Sequence, residues 1–186
     1  MEKWPIESHY GWNSTRSQQW MVSSKISGTG MRRTKTNQTY PTWRIGFSMS
    51  HLSDEEEKIL HGFVALHKGS YKPFLWKDPD YHHEDNRPLV SLGNNKYQAM
   101  IIYNAYSQPA PYIEDVKIYL DGVLVENTEY TINDGVVTFK KAVEGKLTAS
   151  YDYYLKVALA EETPFMTVRV FKDCNDLESC EVVTVL

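Results

Sequence analysis

Between residues 113 and 159 short apolar runs alternate with two- and three-residue turn signals, and this pattern constrains the fold more than any other feature of the chain. Val116-Lys117-Ile118-Tyr119-Leu120 reads as a strand, Asp121-Gly122 as a tight turn, and Val123-Leu124-Val125 as the returning strand. Asp-Gly is favoured there because a type I′ turn needs positive φ at both central residues, so the dipeptide speaks for fold and not for function. Tyr130-Thr131-Ile132, Asn133-Asp134-Gly135 and Val136-Val137-Thr138-Phe139 repeat the arrangement. Gly145 then turns the chain into Lys146-Leu147-Thr148-Ala149-Ser150-Tyr151-Asp152-Tyr153-Tyr154. Short strands at this spacing mean an antiparallel sandwich or meander. Val168-Arg169-Val170-Phe171 and Val182-Val183-Thr184-Val185 add closing strands.

The first fifty residues are polar, with strand-like stretches at Gln19-Trp20-Met21-Val22 and Trp43-Arg44-Ile45-Gly46-Phe47. In the second, Trp43, Ile45 and Phe47 share a face, because strand side chains alternate. Between them Ser27-Gly28-Thr29-Gly30 and Lys35-Thr36-Asn37-Gln38 are turn material, so the segment reads as a hairpin arm. One helix is expected over about 54–68. Ser53 and Glu56 form a capping box, Asp54, Glu55 and Glu56 suit the positive end of the helix dipole, and Gly69 supplies the stop. Ile59, Leu60, Phe63, Val64, Leu66 and His67 form its inward stripe. Tyr71 to Trp76 reads as a strand, Lys77-Asp78-Pro79-Asp80 as a turn, residues 84–95 as loop, and Tyr97 to Tyr106 as a strand. Trp43, Phe63, Phe74 and Trp76 are assigned to the core.

The expected fold is therefore mainly β: an antiparallel β-sandwich with one packed helix and an N-terminal hairpin arm. It forms a single domain over 1–186, with strands and arm in 1–50, helix, strand and loop in 51–111, and antiparallel sheet in 112–186.

Twenty basic residues face 24 acidic ones, for a net charge of -4, which argues against broad binding of nucleic acid or anionic membrane. Met31-Arg32-Arg33-Thr34-Lys35 is locally basic and reads as a solvated turn. The 13 Tyr and 5 Trp suit both β-structure and interfaces. Met1 to Pro5 holds no apolar signal region, and no run reaches the length of a membrane span. Cys174 and Cys180, without an export signal or a CxxC pair, read as reduced thiols of cytosolic synthesis.

The richest titratable run is Tyr81-His82-His83-Glu84-Asp85. Adjacent residues on an extended chain point to opposite sides, so a metal site is not expected. His61 and His67, six apart on the helix, do not share a face. No serine lies in a GxSxG context, and Gly28-Thr29-Gly30 lacks the lysine and helix start of a phosphate loop. No catalytic constellation, metal or cofactor is expected.

Taken in order, the motifs resemble one family. They begin with Trp4-Pro5-Ile6, Tyr10-Gly11, Arg32-Arg33 and Trp43-Arg44, followed by the capped helix, Gly69 and Phe74-Leu75-Trp76-Lys77-Asp78-Pro79-Asp80-Tyr81. Tyr119-Leu120-Asp121-Gly122-Val123, Gly135-Val136-Val137-Thr138-Phe139 and Ala149-Ser150-Tyr151-Asp152-Tyr153-Tyr154 complete the series. This layout resembles the distal tail proteins of phages and gene-transfer agents. Asn13-Ser14-Thr15-Arg16 stands where a glycine-rich stretch of that family is expected.

The resemblance implies a non-enzymatic virion component at the tail tip, assembled in the host cytoplasm. It implies a ring, commonly of six copies, joining the tail tube protein to the hub or tip proteins, with no nucleic acid or membrane partner. Two regions are expected to contact neighbours: the arm at Arg32, Arg33 and Lys35, and the loop at Tyr81, His82 and His83. A carbohydrate- or receptor-binding β-sandwich, using exposed Trp and Tyr to stack on sugars, is the alternative.

Overall fold

The computed structural model describes residues 1–185. About 55% of residues lie in strands and 8% in helix, so the protein is mainly β, with several antiparallel sheets consistent with a β-sandwich. In chain order the elements are β1 (Thr15–Gln19), β2 (Val22–Ile26), β3 (Arg32–Thr36), β4 (Thr42–Leu52), α1 (Asp54–His67), β5 (Phe74–Trp76), β6 (His83–Pro88), β7 (Val90–Gly93) and β8 (Lys96–Gln98). There follow β9 (Met100–Tyr103), β10 (Tyr106–Pro109), β11 (Tyr112–Leu120), β12 (Val123–Leu124), β13 (Tyr130–Asn133), β14 (Val136–Phe139), β15 (Leu147–Leu159), β16 (Met166–Phe171) and β17 (Cys174–Thr184). No helix among the described residues is long and apolar enough to cross a membrane.

The chain forms two compact units with interleaved segments. One holds Met1–Trp4 and Phe74–Lys156, the other Pro5–Pro73 and the chain from Val157 on. The consecutive sections 1–50, 51–111 and 112–186 do not map onto these units, because β15 begins in the first and ends in the second.

In the first unit β15 is buried at every position except Asp152 and Lys156, which are half-buried. Antiparallel β11 lies along one of its edges, and β6 pairs with it from Thr148 to Asp152. Phe74, Leu75 and Trp76 of β5 are all buried, and Glu2 to Trp4 run beside them, with Trp4 stacked on Phe74 at 5.6 Å. The Asp121-Gly122 turn takes φ of 49° and 86°, as its sequence requires. Strands β13, β14, β8 and β7 form a second sheet in that order. Gly135 in its first hairpin tolerates no side chain: a Cβ there would lie 1.8 Å from the Ala110 carbonyl oxygen.

Residues 84–95, expected as loop, are mostly strand. Their polarity is met partly within the segment and partly from outside it. Glu84 is buried and accepts hydrogen bonds from the Ile102 N–H (2.8 Å) and from Arg87 Nε (2.7 Å). Tyr97 to Tyr106 is not one strand but β8, β9 and the start of β10, with Asn104 at φ 54° where β9 turns into β10.

In the second unit the eleven-residue strands β4 and β17 pair antiparallel, and Ile45, Phe47, Met49, Leu177, Cys180 and Val182 are buried. Trp43 is only half-buried, one correction to the expected core; Phe63, Phe74 and Trp76 are buried as expected. The Ser53–Glu56 capping box is complete, and the Ser53 N–H and hydroxyl hold the Glu56 carboxyl below its usual range. Only Leu60, Phe63 and His67 of α1 are buried, whereas Ile59 and Leu66 are 51% and 68% exposed. The stripe is narrower than the spacing suggests because the helix needs one apolar row against a single sheet face. The left-handed stop begins at Lys68 (φ 53°), one residue before Gly69 (φ 63°), and their N–H groups close on the Ala65 and Val64 carbonyls. Of Tyr71 to Trp76 only β5 is strand, since the Lys72 N–H is taken by the His67 carbonyl.

Within the first unit Tyr151 joins two strands with one group. Its buried hydroxyl donates to the Met100 carbonyl at 2.6 Å and accepts from the Met100 N–H at 2.9 Å. Burial pushes the phenol up to about 12, so it stays neutral. Replacing Tyr151 with Phe leaves both Met100 groups without this partner and is expected to cost about 1–3 kcal/mol. Urea unfolding of the two proteins measures it, and equal midpoints would show that the hydroxyl contributes no net stability.

Candidate functional site

Strands β2 and β3 form a sheet of their own, paired from Val22↔Thr36 to Ile26↔Arg32. Their turn is closed locally: the Ser27 N–H donates to the Met31 carbonyl, the Gly30 N–H to the Ser27 carbonyl, and Gly30 takes φ 79°. All ten strand residues are exposed. The basic run expected as a turn at Met31 to Lys35 is therefore mostly strand β3. Gln19 to Val22, expected as one strand, is instead the junction between β1 and β2, where the Met21 N–H donates to Gln38 Oε1 at 2.8 Å.

Directly opposed residues of an antiparallel pair share a face. The register therefore gathers Ser23, Lys25, Arg33 and Lys35 on one side of the hairpin. Val22, Ser24, Ile26, Arg32, Thr34 and Thr36 occupy the other. No carboxylate among the described residues meets Lys25, Arg32, Arg33 or Lys35. The charge is segregated in sequence as well. Residues 8–53 carry Arg16, Lys25, Arg32, Arg33, Lys35 and Arg44 and no acid, leaving 14 basic and 24 acidic residues in the rest of the chain. A two-stranded hairpin exposed on all sides is marginally stable at best in water.

The second expected contact region lies in the first unit. Asp78 is buried, and its Oδ1 accepts from the N–H groups of Asp80 (2.9 Å) and Tyr81 (3.3 Å), fixing the turn. Tyr81 is 55% exposed, and half-buried His82 places Nδ1 2.9 Å from the Asp78 carbonyl oxygen. The stretch is not a free loop, since β6 starts at His83. Alternation along β6 sends Glu84 inward, while His83 and Asp85 stay exposed and bond to Asp152 Oδ1 (2.6 Å) and the Ser150 hydroxyl (2.6 Å). The run thus divides its polar groups among different partners. Among the described residues no three or more His, Cys, Asp or Glu side chains converge as a metal would require. The arm and this corner belong to different units.

A third surface was not foreseen. Strand β16 pairs with β17 alone, so its other edge meets no described strand. Thr167 donates to Glu57 Oε1 and Arg169 to Asp54 Oδ2, each at 2.6 Å, so these two face α1. Val168 and Val170 alternate with them and are 38% and 55% exposed. In the sequence this segment reads as a closing strand, and a run such as Met166 to Phe171 looks the same whether it lies inside a sheet or at its edge.

An open groove of about 350 Å³ at the C-terminal end of α1 is lined by Val64, Lys68, Leu159, Thr163, Phe165 and Cys180 among others. Burial pushes the Cys180 thiol up to about 12, so it is no nucleophile near neutrality. Cys174 and Cys180 are both buried and unpaired.

No protein-family model matches the chain, and no curated protein matches it.

The corner at β6 yields a pH dependence. Burial acts to raise the Asp152 carboxyl, but hydrogen bonds from Lys77 and His83 and the Lys77 charge outweigh it and hold the group below its usual range. A carboxyl lowered by folding stabilises the fold above its unfolded value, about 3.9, and that contribution is lost as pH falls through the lower folded value. Asp152→Asn is expected to cost about 1–3 kcal/mol at neutral pH. The difference should shrink below about pH 4. Urea unfolding across that range measures it, and a gap independent of pH would assign the effect to something other than the carboxylate charge.

Proposed function

We propose that this protein is a non-enzymatic structural subunit of a phage tail tip, a distal-tail type ring component of the virion. Copies of the chain close into a ring, commonly of six, between the tail tube and the hub or tip proteins, after assembly in the host cytoplasm. The observation that carries this reading is the β2–β3 hairpin: ten exposed residues, four unmatched cations and no core of its own. Such an element gains its stability from a surface outside itself.

The order of motifs that resembles distal tail proteins points the same way. The pieces that carry that order are framework elements here: buried Phe74 and Trp76, the Asp78 turn, the Asp121-Gly122 hairpin and the buried run of β15. They bear on the fold, and the exposed hairpin bears on assembly. A ring follows from head-to-tail contacts whose rotation closes, and it needs two different surfaces on each copy.

Light scattering of the purified protein across concentration, alone and with tail tube and hub proteins, tests the reading. A closed oligomer, or a monomer that becomes a ring on one of those partners, is the expected result. A monomer indifferent to all of them, but bound by a glycan panel, would replace the reading with the carbohydrate- or receptor-binding alternative.

A further inference from the structure

Several strand edges of the second unit are unpaired, and those of the β2–β3 hairpin and of β16 have chemistries that complement each other. We propose that the β2–β3 hairpin of one copy adds to the free edge of β16 in a neighbouring copy, an inference that rests on the ring reading above and names its contact.

Length is the first support. The hairpin strands have five residues and β16 has six, so an added strand would pair along nearly all of the edge. Backbone hydrogen bonds across such a junction satisfy groups that otherwise face water on both partners.

Apolar surface is the second. Val22 and Ile26 share a hairpin face with Arg32, opposite the face of Lys25, Arg33 and Lys35, and they are 53% and 73% exposed. Val168 and Val170 are the exposed β-branched residues of β16. When strands join in one sheet, opposed side chains on one face lie close enough to interact, so Val22 and Ile26 can pack beside Val168 and Val170.

Charge is the third, and it selects the occupant. The hairpin brings Lys25, Arg32, Arg33 and Lys35. Around β16 the acids outnumber the bases: Asp54, Glu55 and Glu57 open the helix that Thr167 and Arg169 touch. Asp173, Asp176 and Glu178 lie at and beyond the β16–β17 turn, so these six acids face three bases, Lys58, Arg169 and Lys172. Glu55 and Glu178 are exposed. A second copy thus supplies an open strand edge, exposed valines and excess negative charge together. Nucleic acid would supply only the last of these.

Cross-linking with mixed single-cysteine variants tests the contact on the full chain. Ser24→Cys in one population and Val168→Cys in another are mixed and treated with a short bis-maleimide linker; the native cysteines are buried and give little background. The expected result is a dimer of the two variants in excess over a control mixture in which exposed Lys117→Cys replaces Val168→Cys. In parallel, the triple variant Arg32→Glu, Arg33→Glu, Lys35→Glu should weaken self-association about tenfold or more. Adding Glu55→Lys and Glu178→Lys to that triple variant should restore it. Circular dichroism of each variant checks that the monomer remains folded.

An oligomer that survives the triple variant, or cross-links equally to the control site, overturns this contact and leaves the ring reading standing. Retardation of duplex DNA that is lost in the triple variant, without the mixed dimer, overturns it in favour of nucleic acid. A protein that stays monomeric with every tail partner sinks the ring reading itself.

Discussion

The burial of β15 is the constraint on which most of the structure depends. A strand buried at eleven of thirteen positions must have most of its backbone N–H and C=O groups met by protein, because water cannot reach them. In the first unit β11 takes one edge, and β6 and β5 pair with it as well. In the second, Val157 to Leu159 pair with Val182 to Thr184 of β17. The side chains obey the same demand. Tyr151 spends its hydroxyl on the backbone of Met100, and half-buried Asp152 is held by Lys77 and His83. The corner that looks from the sequence like a cluster of histidines and acids is, in this light, the means by which a charged residue sits within an enclosed strand.

What was legible in the sequence was whatever is decided within a few residues. Asp121-Gly122 fixes its turn by its own dihedral preference, and Ser53 with Glu56 closes the start of α1 from three positions apart. The Asp78 turn is equally local. Elements stabilised from elsewhere were not legible. Nothing in His83 to Gly93 announces two strands, because β15 and β8 supply the pairing and residues of other strands hold several of the polar groups. Ile59 and Leu66 keep the helical spacing of core residues yet face water, since spacing says which residues share a face and not how wide the opposing surface is. The division into interleaved units is likewise a property of where one long strand runs.

The candidate surfaces show the same boundary. Arg32, Arg33 and Lys35 were visible as a basic run, and the absence of any acid from residue 8 to residue 53 was there to be read. Their placement on strands was not, because a short polar segment is equally compatible with a turn. That Lys25, Arg33 and Lys35 share one face while Val22, Ile26 and Arg32 share the other depends on the register with β2, which only the fold supplies. The free edge of β16 is invisible for a different reason: whether a strand has one neighbour or two is a fact about the rest of the chain.

An exposed edge invites pairing with any similar edge, so a subunit that keeps one open needs a device against pairing with the wrong partner. In the ring proposed above, the cations of the hairpin would provide it. A symmetric pairing of two hairpins would place Lys25, Arg33 and Lys35 against the same residues of the second copy, and like charges brought together in that way oppose the contact. The edge of β16, flanked by an excess of acids, carries no such penalty toward the hairpin. Charge therefore disfavours the isologous contacts, hairpin with hairpin and acid-flanked β16 with β16, each of which stops at two copies. It leaves the head-to-tail one, in which each copy gives a hairpin and receives another, and a contact of that kind goes on adding copies until rotation closes it.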